Sequence, residues 1–299
     1  MSVPITDLAE LHRSVSEIVV GRDRELRLLL AAVAARRDLL LEGPPGTSKT
    51  TMLRAVTKAV GVPLMFVEGN AELTTAKLVG HHNPARVLKE DFSHDTFVPG
   101  PLVEAMRSGG FLYVEEINRA PEDTMNALLT AIAEREIHIP RAGKVVAADG
   151  FRIVASMNPF DNVGTSRISS SVYDRLCRIV VGYQSSEEEV EIVRRRTGTT
   201  HERLADDAVA LTRITRIHTE IRQGSSVRGA IDLVLVAEQL LQLAAVSGQD
   251  YAETVFDALI VALSGRIHLD ETSGLTPEQI LREIWEDHFI LRPAQAAPG

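Results

Sequence analysis

The stretch that most restricts how this chain can fold runs from Asp38 to Val56. Three leucines, Leu39, Leu40 and Leu41, lead into Gly43-Pro44-Pro45-Gly46-Thr47-Ser48-Lys49-Thr50, and Thr51 opens a helix-forming segment. An apolar strand feeding a glycine turn and then a helix gathers backbone N–H groups and the positive helix end around one point, where an anion is stabilised. Lys49 then supplies a point charge for β- and γ-phosphates, and the Thr50 hydroxyl is a hard oxygen ligand suited to Mg²⁺. Ser48 stands where a second glycine is usual in this pattern; its side chain is small enough not to block a phosphate.

With 299 residues a single core is near its upper size, so two domains are expected. Aromatic residues make up only 4%, which argues against base-stacking platforms for single strands. A net charge of −9 argues against a general nucleic-acid or anionic-membrane binder. Cys177 is the only cysteine, so no intrachain disulfide can form and a reducing compartment is expected. The segment Met1–Leu11 carries Asp7 and Glu10 and reads as no signal peptide, and Arg36-Arg37-Asp38 interrupts the apolar run 28–41 that would otherwise invite a membrane reading. A cytoplasmic protein is expected.

Along the chain, Leu8–Val19 reads as an amphipathic helix, and Asp23 as the cap of a second one reaching about Arg37. Strand signals follow at 38–42, 64–67, 111–114, 151–155 and 178–181, with helical patterns between them. Two insertions read as hairpins, at about 83–98 (β-prone pieces Ala85–Leu88 and Thr96–Val98) and 135–148. His81, His82 and His94 lack the carboxylate or thiol spacing of a metal site and read as surface residues. After Gly182 the pattern turns helical, beginning at an expected capping box Ser186-x-x-Glu189 and continuing over 187–196, 205–222, 227–245, 251–267 and 277–289. The organisation expected is an α/β core over 1–184, an all-helical lid over 185–291, and a disordered tail over 292–299.

Alternating strands and helices give a parallel sheet, and ligands sit at the carboxyl ends of its strands. The phosphate loop, Glu115-Glu116 and Asn158 each follow an apolar strand directly, so they gather along one sheet edge. Adjacent carboxylates divide two roles: Glu115 faces Mg²⁺, and Glu116 polarises an attacking water as general base. Asn158 can hold the same water through its amide, or simply form an Asn-Pro turn. Positive charge at a γ-phosphate is often supplied by a neighbouring subunit, and Arg175 and Arg228 are the candidates, with a surface ion pair the plainer fate for either.

Taken together, these residues resemble the MoxR family of AAA+ ATPases over roughly Ile18–Leu269. The resemblance rests on Val19-Val20-Gly21, Gly43–Thr50, Pro99-Gly100-Pro101, Phe111–Pro121 (FLYVEEINRAP), Asn126–Glu134, Met157-Asn158-Pro159, Asp174-Arg175-Leu176 and Ser226–Ala230. It implies a P-loop AAA+ parallel-sheet core with helices on both faces and a small helical lid. It also implies that Val20 and Gly21 line an adenine pocket, that Lys49 and Thr50 are the Walker A lysine and Mg²⁺ ligand, and that Glu115 stands at the Walker B aspartate position. Glu116 matches the catalytic glutamate, Asn158 sensor 1, Arg175 the arginine finger and Arg228 sensor 2; Arg167 and Arg119 are rivals for the finger.

The cofactors implied are ATP and Mg²⁺, and the assembly a homo-oligomeric ring, a hexamer, hydrolysing ATP to remodel or activate a client protein. A von Willebrand factor A-domain protein is the partner the resemblance suggests. Two other readings stay open: an ATP-gated scaffold with little turnover, which the Glu115 substitution favours, and a DNA-acting AAA+ motor, which the acidic charge opposes.

Overall fold

The computed structural model describes residues 7–90, 94–159 and 170–291. The chain divides into two compact units, Met1–Gly182 and Tyr183–Gly299. Arg167 and the tail expected to be disordered, 292–299, lie outside the described residues.

Five strands build the main sheet of the first unit: β1 (Leu39–Glu42), β2 (Leu64–Glu68), β3 (Phe111–Glu115), β4 (Arg152–Met157) and β5 (Cys177–Val180). They pair in the order β2-β3-β4-β1-β5, and every pairing is parallel. The central strands are continuous apolar runs because both sheet faces are covered. Alternate residues feed two separate cores. Leu40, Leu112, Val114, Ile153 and Ala155 pack with the helices Pro101–Ser108 and Glu122–Glu134. Leu39, Leu41, Phe111, Tyr113, Val154 and Ile179 pack with the helices Leu8–Ile18, Asp23–Ala34 and Lys49–Val60. The result is a parallel sheet with helices on both sides.

Both insertions contain antiparallel pairs, but the first differs from its sequence reading. Its strands are Gly80–His82 and Phe97–Pro99. Ala85–Leu88, expected to be β, lies in a helix, Pro84–Glu90. The reason is local: the Asn83 side chain accepts the amide of Ala85 at 3.0 Å, and Pro84 occupies the first helical position, where its missing N–H costs nothing. The second insertion pairs Glu136–Ile139 with Gly143–Val146. His82 joins the two, with Nδ1 3.1 Å from Thr96 Oγ1 and Nε2 3.1 Å from the Pro140 carbonyl.

The second unit contains helices Ser186–Thr197, Glu202–Ile214, Val227–Ser247, Tyr251–Leu263 and Pro277–Glu286, which share one core. Its capping box is Ser185 with Glu188, one residue earlier than expected. Glu189 is thereby freed from the cap and is buried instead. The helix expected over 205–222 stops at Ile214, where the Thr215 hydroxyl turns back to the Thr212 carbonyl at 2.6 Å and accepts the Ser225 amide at 2.9 Å. Ile221–Gln223 then pairs antiparallel with His268–Leu269, a ribbon that no local pattern marks. Asp23 is the first residue of its helix rather than its cap; its carboxylate pairs with Arg27 at 3.2 Å and His12 at 3.1 Å. Among the described residues no helix is long and apolar enough to cross a membrane.

Candidate nucleotide site

The site grows from the end of β1. Glu42, the last strand residue, is buried, and Arg178 of β5 grips its carboxylate. Gly43 donates its amide to the Met157 carbonyl of β4 at 3.1 Å. A Cβ on Gly43 would lie 2.0 Å from the Val181 carbonyl oxygen, so only glycine fits where the loop leaves the sheet. The turn then needs two left-handed residues, Gly46 (φ 73°) and Ser48 (φ 67°), before the helix begins at Lys49. Serine accepts that conformation at a cost of about 1 kcal/mol that glycine would avoid.

Inside the loop, Lys49 Nζ donates to the carbonyls of Gly43 (2.8 Å) and Pro44 (2.7 Å), and Thr47 Oγ1 donates to Pro44 at 2.9 Å. The buried ammonium is thus held at the mouth of the helix N-terminus, where it adds to the helix's own positive end. Thr51, one residue beyond Thr50, is exposed.

Thr50 reaches across to the neighbouring strand end. Its Oγ1 donates to Glu115 Oε1 at 2.8 Å, so a hydroxyl and a carboxylate oxygen meet beside the loop. Such hard oxygens are what Mg²⁺ takes, and the longer glutamate side chain spans the distance to the hydroxyl. Tyr113 Oη lies 3.2 Å from Thr50 Oγ1 and donates to Ser156 Oγ at 2.9 Å. Burial, with the nearby Glu115 charge adding to it, pushes the Tyr113 phenol up to about 12.

Glu116 follows in the left-handed region (φ 51°, ψ 47°). That turn, rather than an extended alternation, separates its side chain from that of Glu115. Glu116 Oε2 is 2.9 Å from Arg119 Nε, and both side chains are partly open to solvent. The turn has a support the sequence reading missed: Gly69, just past β2, donates its amide to the Glu115 carbonyl at 2.7 Å. A Cβ there would meet the Glu116 carbonyl oxygen at 2.3 Å. A glycine directly after a strand that pairs in register with the Glu115 strand was the only available signal.

Asn158 directly follows β4, whose Met157 carbonyl holds Gly43, so it sits at the same sheet edge, half-buried. Val20 and Gly21 (φ 67°) precede Arg22, a buried residue whose Nη2 donates to the Gly182 carbonyl at 2.6 Å, next to Val181. That bond ties the segment to the strand end against which Gly43 packs.

Arg175 is exposed at the end of the helix Ser170–Arg175 and donates to the Ser171 carbonyl of that helix at 2.9 Å. Arg228 belongs to the second unit, exposed in the first turn of Val227–Ser247. The described chain therefore assembles the loop, both glutamates and Asn158 at one edge, and leaves Arg175 on the surface.

The AAA domain (dynein-related subfamily) matches residues 38–176, which span the phosphate loop to Arg175. Chaperone MoxR1 of Mycobacterium tuberculosis is 30% identical over 195 residues, covering 62% of this chain and 49% of that protein, so this chain matches about half of that relative's length. An uncharacterised protein of Staphylococcus haemolyticus is 27% identical over 210 residues, with 66% and 76% covered. Among solved structures, a proposed ATPase from Cytophaga hutchinsonii superposes with a TM-score of 0.52 at 22% identity, covering 92% of each chain. A Thermotoga maritima RuvB variant gives 0.55 at 18%, covering 83% of this chain and 72% of that one. These two likenesses are of fold alone. With its phosphate loop, paired glutamates and parallel sheet, the chain has the AAA+ fold and is similar over residues 38–176 to the AAA domain (dynein-related subfamily).

Proposed function

We propose that the protein binds ATP with Mg²⁺ at the edge formed by Gly43–Thr51, Glu115, Glu116 and Asn158, and hydrolyses it. The observation that carries this reading is the 2.8 Å contact between Thr50 of the loop and Glu115 of the neighbouring strand, which sets a hydroxyl and a carboxylate beside the phosphate position. Lys49 leaves the Gly43 and Pro44 carbonyls to meet phosphate oxygens, and the amides of the turn complete the cradle. Thr50 and Glu115 would hold Mg²⁺, which when bound neutralises charge on the β- and γ-phosphates. Glu116, turned away from that pair, orients and polarises the attacking water, with Asn158 fixing the same water.

Arg175 is exposed, and in this reading it serves a neighbouring subunit's nucleotide as arginine finger, while Arg228 acts as sensor from the lid. The active form is then a ring, a hexamer, in the cytoplasm, where hydrolysis drives remodelling or activation of a client with a von Willebrand factor A-domain protein as partner. The name of the mycobacterial relative, a chaperone, supports that role.

ATPase assay of wild type against Glu116→Gln tests the reading. We expect the variant to bind ATP and lose at least a hundredfold in rate, the usual contribution of a general base. Equal rates near zero in both proteins would replace it with an ATP-gated scaffold.

A further inference from the structure

Tyr113 is the only side chain of Phe111–Val114 that carries a polar atom, and it is fully buried (0% exposed). Its hydroxyl oxygen lies 2.9 Å from Ser156 Oγ, 3.2 Å from Thr50 Oγ1 and 3.4 Å from Glu115 Oε1. These three atoms come from three chain segments: β4 two residues before Asn158, the loop helix, and the end of β3 itself. Thr50 donates its own proton to Glu115, and the phenol proton faces two acceptors, Ser156 Oγ and the same Glu115 Oε1, so the hydroxyl bridges β4 to the carboxylate. The ring packs on Phe66 with centroids 5.7 Å apart. A phenol has two side-chain torsions and its ring is enclosed, so its oxygen is a fixed point. The half-buried glutamate beside it has three torsions, one more than the aspartate usual at this position in the family the sequence resembles.

We propose that Tyr113 is a positioning residue, whose hydroxyl fixes the separation between the Thr50 hydroxyl and the Glu115 carboxylate and so sets how well this pair takes Mg²⁺. The proposal rests on the reading of Thr50 and Glu115 as the Mg²⁺ donors. It assigns the tyrosine a role that an aliphatic residue in the same strand could not fill, because residues 113 and 115 share one side of β3 and only a polar tip can reach the carboxylate.

Tyr113→Phe keeps the ring and its packing and removes one oxygen. The measurement is the affinity for a fluorescent ATP analogue, titrated in EDTA and across a Mg²⁺ series, with thermal melting alongside. We expect affinity in EDTA to stay within about twofold and the half-saturating Mg²⁺ concentration to rise about fivefold, as loss of one hydrogen bond gives. Ser156→Ala, which removes the phenol's partner at a site away from the ring, should move the Mg²⁺ dependence the same way by a smaller factor.

If Tyr113→Phe and Ser156→Ala melt earlier but bind Mg²⁺-nucleotide like wild type, or weaken binding equally with and without Mg²⁺, the tyrosine is only a core residue and the proposal fails. Glu115→Gln separates the two levels. A Mg²⁺ dependence lost in Glu115→Gln but intact in Tyr113→Phe overturns the positioning role alone. One intact in both overturns the Mg²⁺ reading and this proposal with it.

Discussion

Arg178 closes on Glu42 with two hydrogen bonds, Nε to Oε2 at 2.6 Å and Nη2 to Oε1 at 2.7 Å. Glu42 is the last residue of β1 and is 7% exposed, so this pair secures a buried carboxylate one residue before the phosphate loop. Removing one partner of a buried pair leaves an uncompensated charge, whereas removing both can be nearly neutral. Because Arg178 is itself half-exposed, we expect Arg178→Met to lower stability by about 2 kcal/mol, below the range for fully buried pairs. Glu42→Leu with Arg178→Met should recover most of that loss in urea denaturation.

Glu189 should matter more to stability than any other charged residue of the second unit. It is 1% exposed and lies 3.0 Å from Arg213 Nη1 and 2.7 Å from Arg216 Nη1. Arg213 also donates to the Gln184 carbonyl at 3.0 Å, while Arg216 donates to the Ser225 carbonyl at 2.7 Å and lies over the Tyr183 ring. Glu189→Ala strands two arginines and is expected to cost about 3–5 kcal/mol. Trp285 is the only tryptophan and belongs to this unit, so its fluorescence in a denaturant titration reports the loss directly.

A pH effect is expected in the same unit. Tyr251 donates to Asp207 Oδ2 at 2.9 Å, and burial together with the Asp207 charge raises the phenol's pKa above its ordinary 10.0. The folded protein therefore keeps a proton that the unfolded chain gives up sooner. That stabilisation is complete below about pH 10 and is lost as pH rises from there through the folded value. Tyr251→Phe should be less stable than wild type at pH near 8, having lost a hydrogen bond, yet show a shallower decline above about pH 10. An unchanged slope by Trp285 fluorescence would refute the assignment.

How far the sequence disclosed all this follows from the range of the interactions. Runs such as Leu112-Tyr113-Val114 and Ile153-Val154-Ala155 are strands buried on both faces, and composition alone marks them. The order of strand, glycine turn and helix marks the loop for the same reason: every signal is local. The helix Pro84–Glu90 was missed because Val87 and Leu88 have strand composition, while the decisive signal was the Asn83-Pro84 start. Nothing local pairs Glu42 with Arg178, 136 residues apart, or sets Gly69 beneath Glu116. Tyr113 in an apolar run reads as core, and only the folded sheet puts its hydroxyl between Thr50 and Ser156.

The left-handed turn at Ser48 offers a simple check on the loop. Ser48→Gly removes the side chain that resists φ near 67° and should raise stability by up to about 1 kcal/mol, part of which the added freedom of the unfolded chain takes back. ATP affinity should change by less than about threefold if, as proposed, phosphate is met by the backbone amides of the loop and not by this hydroxyl. A tenfold loss of affinity in Ser48→Gly would show instead that the serine hydroxyl contacts the nucleotide.

If Arg175 serves a neighbour's nucleotide, two inactive variants must rescue each other. Glu116 and Arg175 belong to one chain, but in a ring the Arg175 of one subunit meets the site that holds Glu116 of the next. Arg175→Ala should reduce the hydrolysis rate by about a thousandfold, the contribution of an arginine finger, while leaving ATP affinity within about twofold. Glu116→Gln should be comparably inactive. Mixed in equal amounts and allowed to exchange, the two variants create interfaces that contain an intact Glu116 opposite an intact Arg175, and a fraction of the wild-type rate should return. A role within a single chain forbids that recovery, since no subunit in the mixture carries both residues. Recovery in the mixture of Arg175→Ala and Glu116→Gln, set against none when either variant is diluted with buffer, is the outcome expected; its absence in preparations shown by light scattering to form mixed rings would confine Arg175 to a surface role.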